Sequence, residues 1–388
     1  MVKKIAKITG IVLLTLIIVA GGITVSLFAL PQKIKVQPTV FDMGDENYCV
    51  LFVTSLKGSG YIKYTVNGEE KVIWDTTSGT ISTHDTVHKI IVPKEELRNN
   101  TYVVGSQFVA YKLGYNAIKG GSTESEPISF RGTEKEDGIK LLAVTDVHGM
   151  LDNVKKSLRY FTEEYDMLVF LGDICSDFGN KSRFTDHVLA DAAYITKGEY
   201  PVAYARGNHE TRGEYASQML QYFHTNTGEL YYTFKFGGLS AVVLDPGEDK
   251  EDDHAEYSGL VDFSSYREKQ FSWINSLKAE DFTGRYKIVF SHDPTLEEHF
   301  GKNWEEPFKN LGFSLIAGGH HHRSSLTKDD ISVFVAGGKN TDFTWAASSI
   351  TLENGEIKMK TVNIDGTVIL EDSINVAETV IPEASTEA

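Results

Sequence analysis

At 388 residues the chain is longer than one compact core usually supports, so two folded units plus extensions are expected. Its 41% hydrophobic and 24% charged residues, with 34 Gly and only 9 Pro, describe a globular protein rather than a low-complexity one. A formal net charge of -16, with no basic run after Lys7, argues against a nucleic-acid partner, because phosphate backbones are held by clustered Lys and Arg. The two cysteines, Cys49 and Cys175, are too few and too far apart for a disulfide framework.

Residues 1–31 read as a membrane anchor. After Lys3, Lys4 and Lys7, the stretch Ile8 to Leu30 runs 23 residues without a charge, enough for a bilayer-spanning helix. It is too long for the apolar core of a secretory signal, and no small-x-small cleavage site follows. Three lysines precede the span and two, Lys33 and Lys35, follow it, a bias that keeps the amino terminus in the cytoplasm and puts the rest of the chain outside.

Residues 32–131 show short alternating runs: Tyr48 to Thr54, Tyr61 to Val66 before Asn67-Gly68, Lys71 to Trp74, His88 to Val92 and Tyr102 to Tyr111. Asn-Gly between such runs signals a hairpin, and the spacing predicts a β-sandwich of the immunoglobulin or fibronectin type. Gly132 to Gly138 reads as a linker. From residue 139 to 376 strands alternate with helices, the pattern of a layered α/β domain. Strands are expected at Lys140 to Thr145, Met167 to Leu171, Pro201 to Ala205, Leu239 to Leu244, Tyr286 to Phe290, Phe313 to Ala317 and Ser332 to Val335. Helices are expected at Asp152 to Glu164, Phe184 to Thr196, Glu214 to Tyr222 and Ser264 to Leu277. Trp345 to Ile374 returns to strands around Asn354-Gly355 and Asp365-Gly366 and is expected to complete a second sheet. Residues 377–388 form a polar tail.

Five short motifs each begin where a predicted strand ends: Asp146-Val147-His148-Gly149, Gly172-Asp173, Gly207-Asn208-His209-Glu210, Ser291-His292 and Gly319-His320-His321-His322. Ligands of open α/β sheets lie beyond the carboxyl ends of the strands, so the five should converge. Spacing of i, i+2 puts Asp146 with His148, and His320 with His322, on one side of extended chain, leaving His321 on the other. Carboxylate, imidazole and amide oxygen suit divalent manganese, iron or zinc, and the absence of cysteine argues against a closed structural zinc site. Seven donors (Asp146, His148, Asp173, Asn208, His292, His320 and His322) are too many for one ion with open positions but fit two. Such a pair can activate a hydroxide between the ions and stabilise an in-line displacement at phosphorus.

Together these motifs resemble the calcineurin-like metallophosphoesterase superfamily, over about Ile139 to Ile374. The resemblance implies a layered catalytic fold in which Asp146, His148, Asp173 and His322 hold one ion and Asp173, Asn208, His292 and His320 the other. It gives His209 the role of serving the leaving oxygen. A sandwich ahead of the catalytic domain further resembles purple acid phosphatases. Two departures stand out: Ser176 occupies the place of their metal-bound Tyr, and the acid many relatives use to orient the catalytic His is displaced to Asp177. The function implied is hydrolysis of phosphate monoesters outside the cell, with a diesterase or a surface binding module with a vestigial metal site as alternatives. Neighbours with open roles are the acidic run Glu248 to Asp253, read as a solvated loop or a lip that screens polyanions, and Arg206 and Arg323, either of which could pair with phosphate or with protein. Trp304, Tyr257 and Phe263 could line the pocket or belong to the core.

Overall fold

Three strands with no polar face, Ile139–Val144, Met167–Leu171 and Val202–Ala205, pair in parallel at the centre of the fold. Parallel strands covered on both sides read as apolar runs, and these sequences are apolar apart from Lys140. The computed structural model describes residues 11–19, 21–22, 31–44, 46–132, 135–301, 303–342 and 344–376. Helix Leu151–Leu158 and the helical run ending in Ala190–Thr196 make the crossovers that parallel pairing demands.

Both sides of this trio are extended. Ala346–Glu353 pairs antiparallel with Ile139–Val144, and Glu356–Asn363 and Val368–Asn375 follow outward. The expectation that Trp345 to Ile374 completes a second sheet is therefore corrected: Ile139–Val144 has one edge on Met167–Leu171, and the C-terminal strands fill the other. On the far side Phe41 pairs in parallel with Val202, so that Ile34–Phe41, Asn47–Thr54 and Val87–Pro93 continue the same sheet. Among the described residues this gives nine strands in one sheet.

The N-terminal sandwich is thus fused to the catalytic core rather than set apart at the linker. Val40, Tyr48, Val50, Phe52, Ile90 and Val92 pack against the sandwich's second sheet, whose strands include Gly58–Val66, Glu69–Trp74 and Thr101–Leu113. From the same three strands Phe41, Cys49, Leu51, Val53 and Val87 face the other way, into the core shared with the catalytic strands. A six-stranded sheet containing Leu239–Val243, Tyr286–Phe290, Leu315–Gly318 and Ser332–Val335 closes that core from the opposite side. Its outer face packs Val242, Val289 and Ile316 against Ile274 and Phe308 of two covering helices.

Of the expected membrane span, residues 11–19 and 21–22 are helical, with the apolar side chains from Ile11 to Val19 exposed; the rest of it, like the tail 377–388, lies outside the described residues. Among the described residues no helix is long and apolar enough to cross a membrane.

One buried acid near the crossover gives the fold a pH signature. Asp191 has no hydrogen-bond partner for its Oδ2 among the described residues, and burial pushes its carboxyl up to about 8. The native state then keeps a proton that the unfolded chain releases near pH ~3.9. This contribution to stability is complete below that value and is lost as the pH climbs through about 8. Asp191→Asn is expected to flatten that decline, so that its gain over the parent in denaturant midpoint grows from acid to mildly alkaline pH. Parallel pH curves for the two proteins would exclude it.

Candidate metal centre

The motifs occupy tight turns beyond the strand ends. Asp146, His148, Asp173, His320 and His322 all have left-handed backbones, with φ of 49°, 49°, 54°, 68° and 51°. This corrects the expectation that side-chain alternation along extended chain aligns Asp146 with His148 and His320 with His322. Each such non-glycine conformation costs about 1–3 kcal/mol, so the surroundings must enforce it. They do so by lacing the turns together: Asp146 N donates to Gly172 O at 3.0 Å, His148 N to Asp173 O at 2.9 Å, and Gly149 N to Ile174 O at 2.8 Å. Buried Glu210 ties in the third turn by accepting from Asp173 N and Gly207 N at 2.8 Å and from Cys175 N at 3.0 Å. Two glycines permit the close approach. A Cβ on Gly207 would lie 2.2 Å from Asp173 N, and one on Gly319 2.0 Å from Thr145 Oγ1.

All seven predicted donors meet at this place. On one side His148 Nε2 lies 3.2 Å from His322 Nε2, and Asp146 Oδ1 is 3.3 Å from His322 Nε2 and 3.9 Å from His148 Nε2. On the other, His292 Nε2 is 3.1 Å from Asn208 Oδ1 and 3.3 Å from Asp173 Oδ2, with the His320 ring edge-on to His292 at 5.2 Å between centroids. Asp173 Oδ2 is also 3.9 Å from His148 Nε2, so one carboxylate oxygen reaches towards both groups. His292 Nδ1 donates to Leu171 O at 2.7 Å, which leaves Nε2 as the nitrogen that could bind a cation.

These residues fit divalent cations. Asp146 Oδ2 accepts from Thr145 Oγ1 and His320 N, but the buried Oδ1 has no hydrogen-bond partner among the described residues. A buried carboxylate oxygen with no donor, facing two imidazole nitrogens, is explained by an ion between them. Donor separations just above 3 Å are those of neighbours in a shell with bonds of about 2.1 Å. The electrostatics agree. Burial opposes the ionised Asp173, yet His292, His209 and His148 hold it well below the usual carboxylate range. Burial also opposes charge on His292, but Asp173 and Asp146 outweigh it and hold the imidazole up at about 10. The carboxylates at the centre thus attract positive charge.

His209 lies beside the donors, with Nε2 3.8 Å from Asp173 Oδ2. Its Nδ1 meets the Ser176 carbonyl at 2.8 Å, so that ring nitrogen donates; Nε2 faces Arg212 Nη1 at 3.1 Å and accepts. Asp177 does not orient it: that carboxylate accepts from Gly179 N and lies 3.7 Å from Arg183. A main-chain carbonyl does the work for which the resemblance offered an acid.

Arg212 was not singled out in the sequence, and Glu248 was read there only as part of an acidic run. Arg212 forms a bidentate pair with Glu248, Nε to Oε1 at 2.6 Å and Nη2 to Oε2 at 2.9 Å. Glu248 Oε2 also accepts from the Asn208 amide at 3.3 Å, which turns the Asn208 carbonyl oxygen towards His292. The acidic run is therefore split: Glu248 is buried and holds the Asn208 amide, while Asp249 Oδ2 comes within 3.8 Å of His320 Nε2. Arg206 is committed to buried Asp245, two contacts at 2.9 Å, and Arg323 is exposed. His321 faces Asp293 and Thr295, away from the donors. Trp304 is core, Tyr257 contacts Glu248, and Phe263 packs over Gly247.

Residues 139–324 match the calcineurin-like phosphoesterase family. No curated protein sequence matches the chain. Among solved structures it is similar to PhoD, at 10% identity over 87% of this chain and 88% of that one, with a TM-score of 0.52. It is also similar to a predicted phosphoesterase of Streptococcus pneumoniae (13% identity, 61% and 97% covered, TM-score 0.31) and to a cold-active protein-tyrosine phosphatase of a Shewanella species (14% identity, 81% and 98% covered, TM-score 0.30). The likeness to PhoD, one of fold, extends past the catalytic segment into the N-terminal strands. The chain is a hydrolase of phosphoric ester bonds, built around a calcineurin-like phosphoesterase domain at residues 139–324.

Proposed function

We propose that the chain hydrolyses phosphate monoesters at a pair of divalent ions, manganese, iron or zinc, and that the N-terminal stretch anchors it in the cell membrane with the catalytic domain outside. The observation that carries the two-ion reading is Asp173 Oδ2, 3.3 Å from His292 on one side and 3.9 Å from His148 on the other. Asp146, His148 and His322 with Asp173 would hold one ion; Asn208, His292 and His320 with Asp173 would hold the second. Bound there, the ions would polarise the phosphoryl oxygens and supply a nucleophile at neutral pH. The protein's own part is to hold the donors in strained turns, to fix the Asn208 amide through Glu248, and to place Arg212 at the rim. Arg212 Nη1, the nitrogen that Glu248 does not engage, is left to meet a phosphoryl oxygen, and a doubly charged monoester suits a pair of divalent ions better than a singly charged diester does. Comparing kcat/KM for matched mono- and diesters, with metal content measured alongside, tests this; a preference for diesters would favour the same centre acting as a diesterase.

His209 would serve the leaving oxygen. With Nδ1 held by Ser176, only Nε2 can face substrate; binding of phosphate would draw the Arg212 guanidinium off that nitrogen, which would then take a proton from solvent and give it to the leaving oxygen. His209→Ala is expected to slow alkyl phosphates by on the order of a hundred- to ten-thousand-fold and nitrophenyl phosphates far less, since an alkoxide needs a proton and a nitrophenolate scarcely does. Equal losses on both would make His209 a support for phosphate or metal.

The charge-free stretch and the lysines before it support the anchor. Protease added to intact cells is expected to digest the catalytic domain, and deletion of residues 1–30 to release active protein from membranes. Complete protection until lysis would reverse the topology.

A further inference from the structure

The hairpin Thr101–Leu113/Asn116–Glu124 outruns the sheet that carries it. Thr101–Leu113 pairs with Gly58–Val66 only as far as Phe108; beyond Val109 it continues with its partner alone as a two-stranded ribbon of about 14 Å. Tyr111, Leu113 and Tyr115 at the tip are 57%, 54% and 108% exposed. Tyr111 and Leu113 share a face, on which Ile118 stands opposite Tyr111. Three large apolar side chains within five residues, held out on a ribbon, are the mark of a contact surface.

Charge and position say what it contacts. No acid occurs from Leu97 to Thr123, in a chain with 54 of them, while Lys112 and Lys119 flank the tip. The longest acid-free segment of the sequence is residues 1–41, and the fold brings its Gln32 to the base of the ribbon. The Gln32 side chain donates to Leu56 O at 2.8 Å and accepts from Leu56 N at 3.0 Å, and the Val109 amide donates to Lys57 O at 3.2 Å. Chain arriving from residue 31, with Lys33, Lys35 and Lys57 around it, therefore joins the fold on the end from which the ribbon projects.

We propose that the ribbon tip is a second membrane contact, with Tyr111, Leu113 and Tyr115 in the headgroup region of the bilayer and Lys112 and Lys119 facing anionic headgroups. The inference rests on the proposed N-terminal anchor. Tyrosine, an apolar ring with a polar end, suits that interface, and lysines near it gain from anionic lipid. A single point of attachment leaves the catalytic unit free to tilt; a second contact beside it sets the height and orientation of the metal centre over the bilayer.

The full chain would be reconstituted in vesicles with or without anionic lipid, carrying a fluorophore at Tyr115→Cys or, as a control, at Ser272→Cys on the covering helix; both native cysteines are buried. The expected result is co-flotation of both, with severalfold stronger quenching by headgroup-labelled lipid at position 115. Lys112→Gln and Lys119→Gln should each weaken tip binding to anionic vesicles on the order of fivefold. Co-flotation without quenching at 115 overturns the inference and leaves the anchor standing, whereas failure to co-float overturns the anchor and the inference with it. Cross-linking of Tyr115→Cys chains to one another, without lipid quenching, would assign the tip to a second copy and also overturn it.

Discussion

Asp173→Asn is expected to lower phosphoester hydrolysis on the order of a thousandfold and to reduce bound metal from two ions towards one per chain. The substitution is nearly isosteric, and Asp173 Oδ1, which accepts from His209 N at 2.9 Å, can be replaced by the amide oxygen. What changes is the oxygen facing both donor groups: an NH₂ there cannot bind a cation and points its protons at His292 Nε2, 3.3 Å away. The fold should survive while the electrostatic centre does not. Metal analysis beside a rate measurement decides the matter; full metal content at the parent rate would mean that Asp173 is not the bridge.

Glu248→Ala should have the largest effect on stability, a loss of about 3 kcal/mol together with a 10- to 100-fold weaker hold on metal. The stability figure sits at the low end for a broken buried pair because the Arg212 side chain remains 36% exposed and can turn to water. The metal effect has a separate cause: without Glu248 Oε2 the Asn208 amide loses the acceptor that fixes which end faces His292. Glu248→Gln keeps a hydrogen-bonding oxygen for Asn208 but not the charge for Arg212, so it should recover metal affinity more than stability. Denaturant midpoints and metal titrations separate the two; a variant that is destabilised but binds metal normally would limit Glu248 to holding Arg212.

The cluster was legible because each of its residues follows an apolar strand and is a chemically unusual residue to find there. Strands Met167–Leu171, Tyr286–Phe290 and Ser332–Val335 fall where their apolar runs do. Other features left no local trace. The left-handed turns are built by Asp and His rather than Gly, so the sequence does not mark them. Ser176 orients His209 through its carbonyl, a group every residue has. Glu248 looked like part of a solvated acidic run because its burial depends on Arg212 and Tyr257, outside that run. Ile34–Phe41 was not among the expected strands and has Pro38 inside it, and the Gly-rich, half-exposed Asn116–Glu124 shows no alternation. The fused sheet did leave a sign: Tyr48 to Thr54 is apolar almost throughout, as a strand buried on both faces requires, and an isolated sandwich would have shown a polar face.

That fusion constrains how the chain is made. The ribosome delivers the N-terminal strands first, yet Ile34–Phe41 finds its parallel neighbour only when Val202 emerges, and Phe41, Cys49, Leu51, Val53 and Val87 have nothing to pack against until then. Pairing over so long a stretch of sequence is slow, and the waiting face is apolar β-structure of the kind that associates with other chains. The nascent protein therefore passes through an interval in which its first half is translated, sticky and unable to finish folding. A chain stopped at the linker would remain in that state, an incomplete sheet in need of a chaperone rather than an independent sandwich.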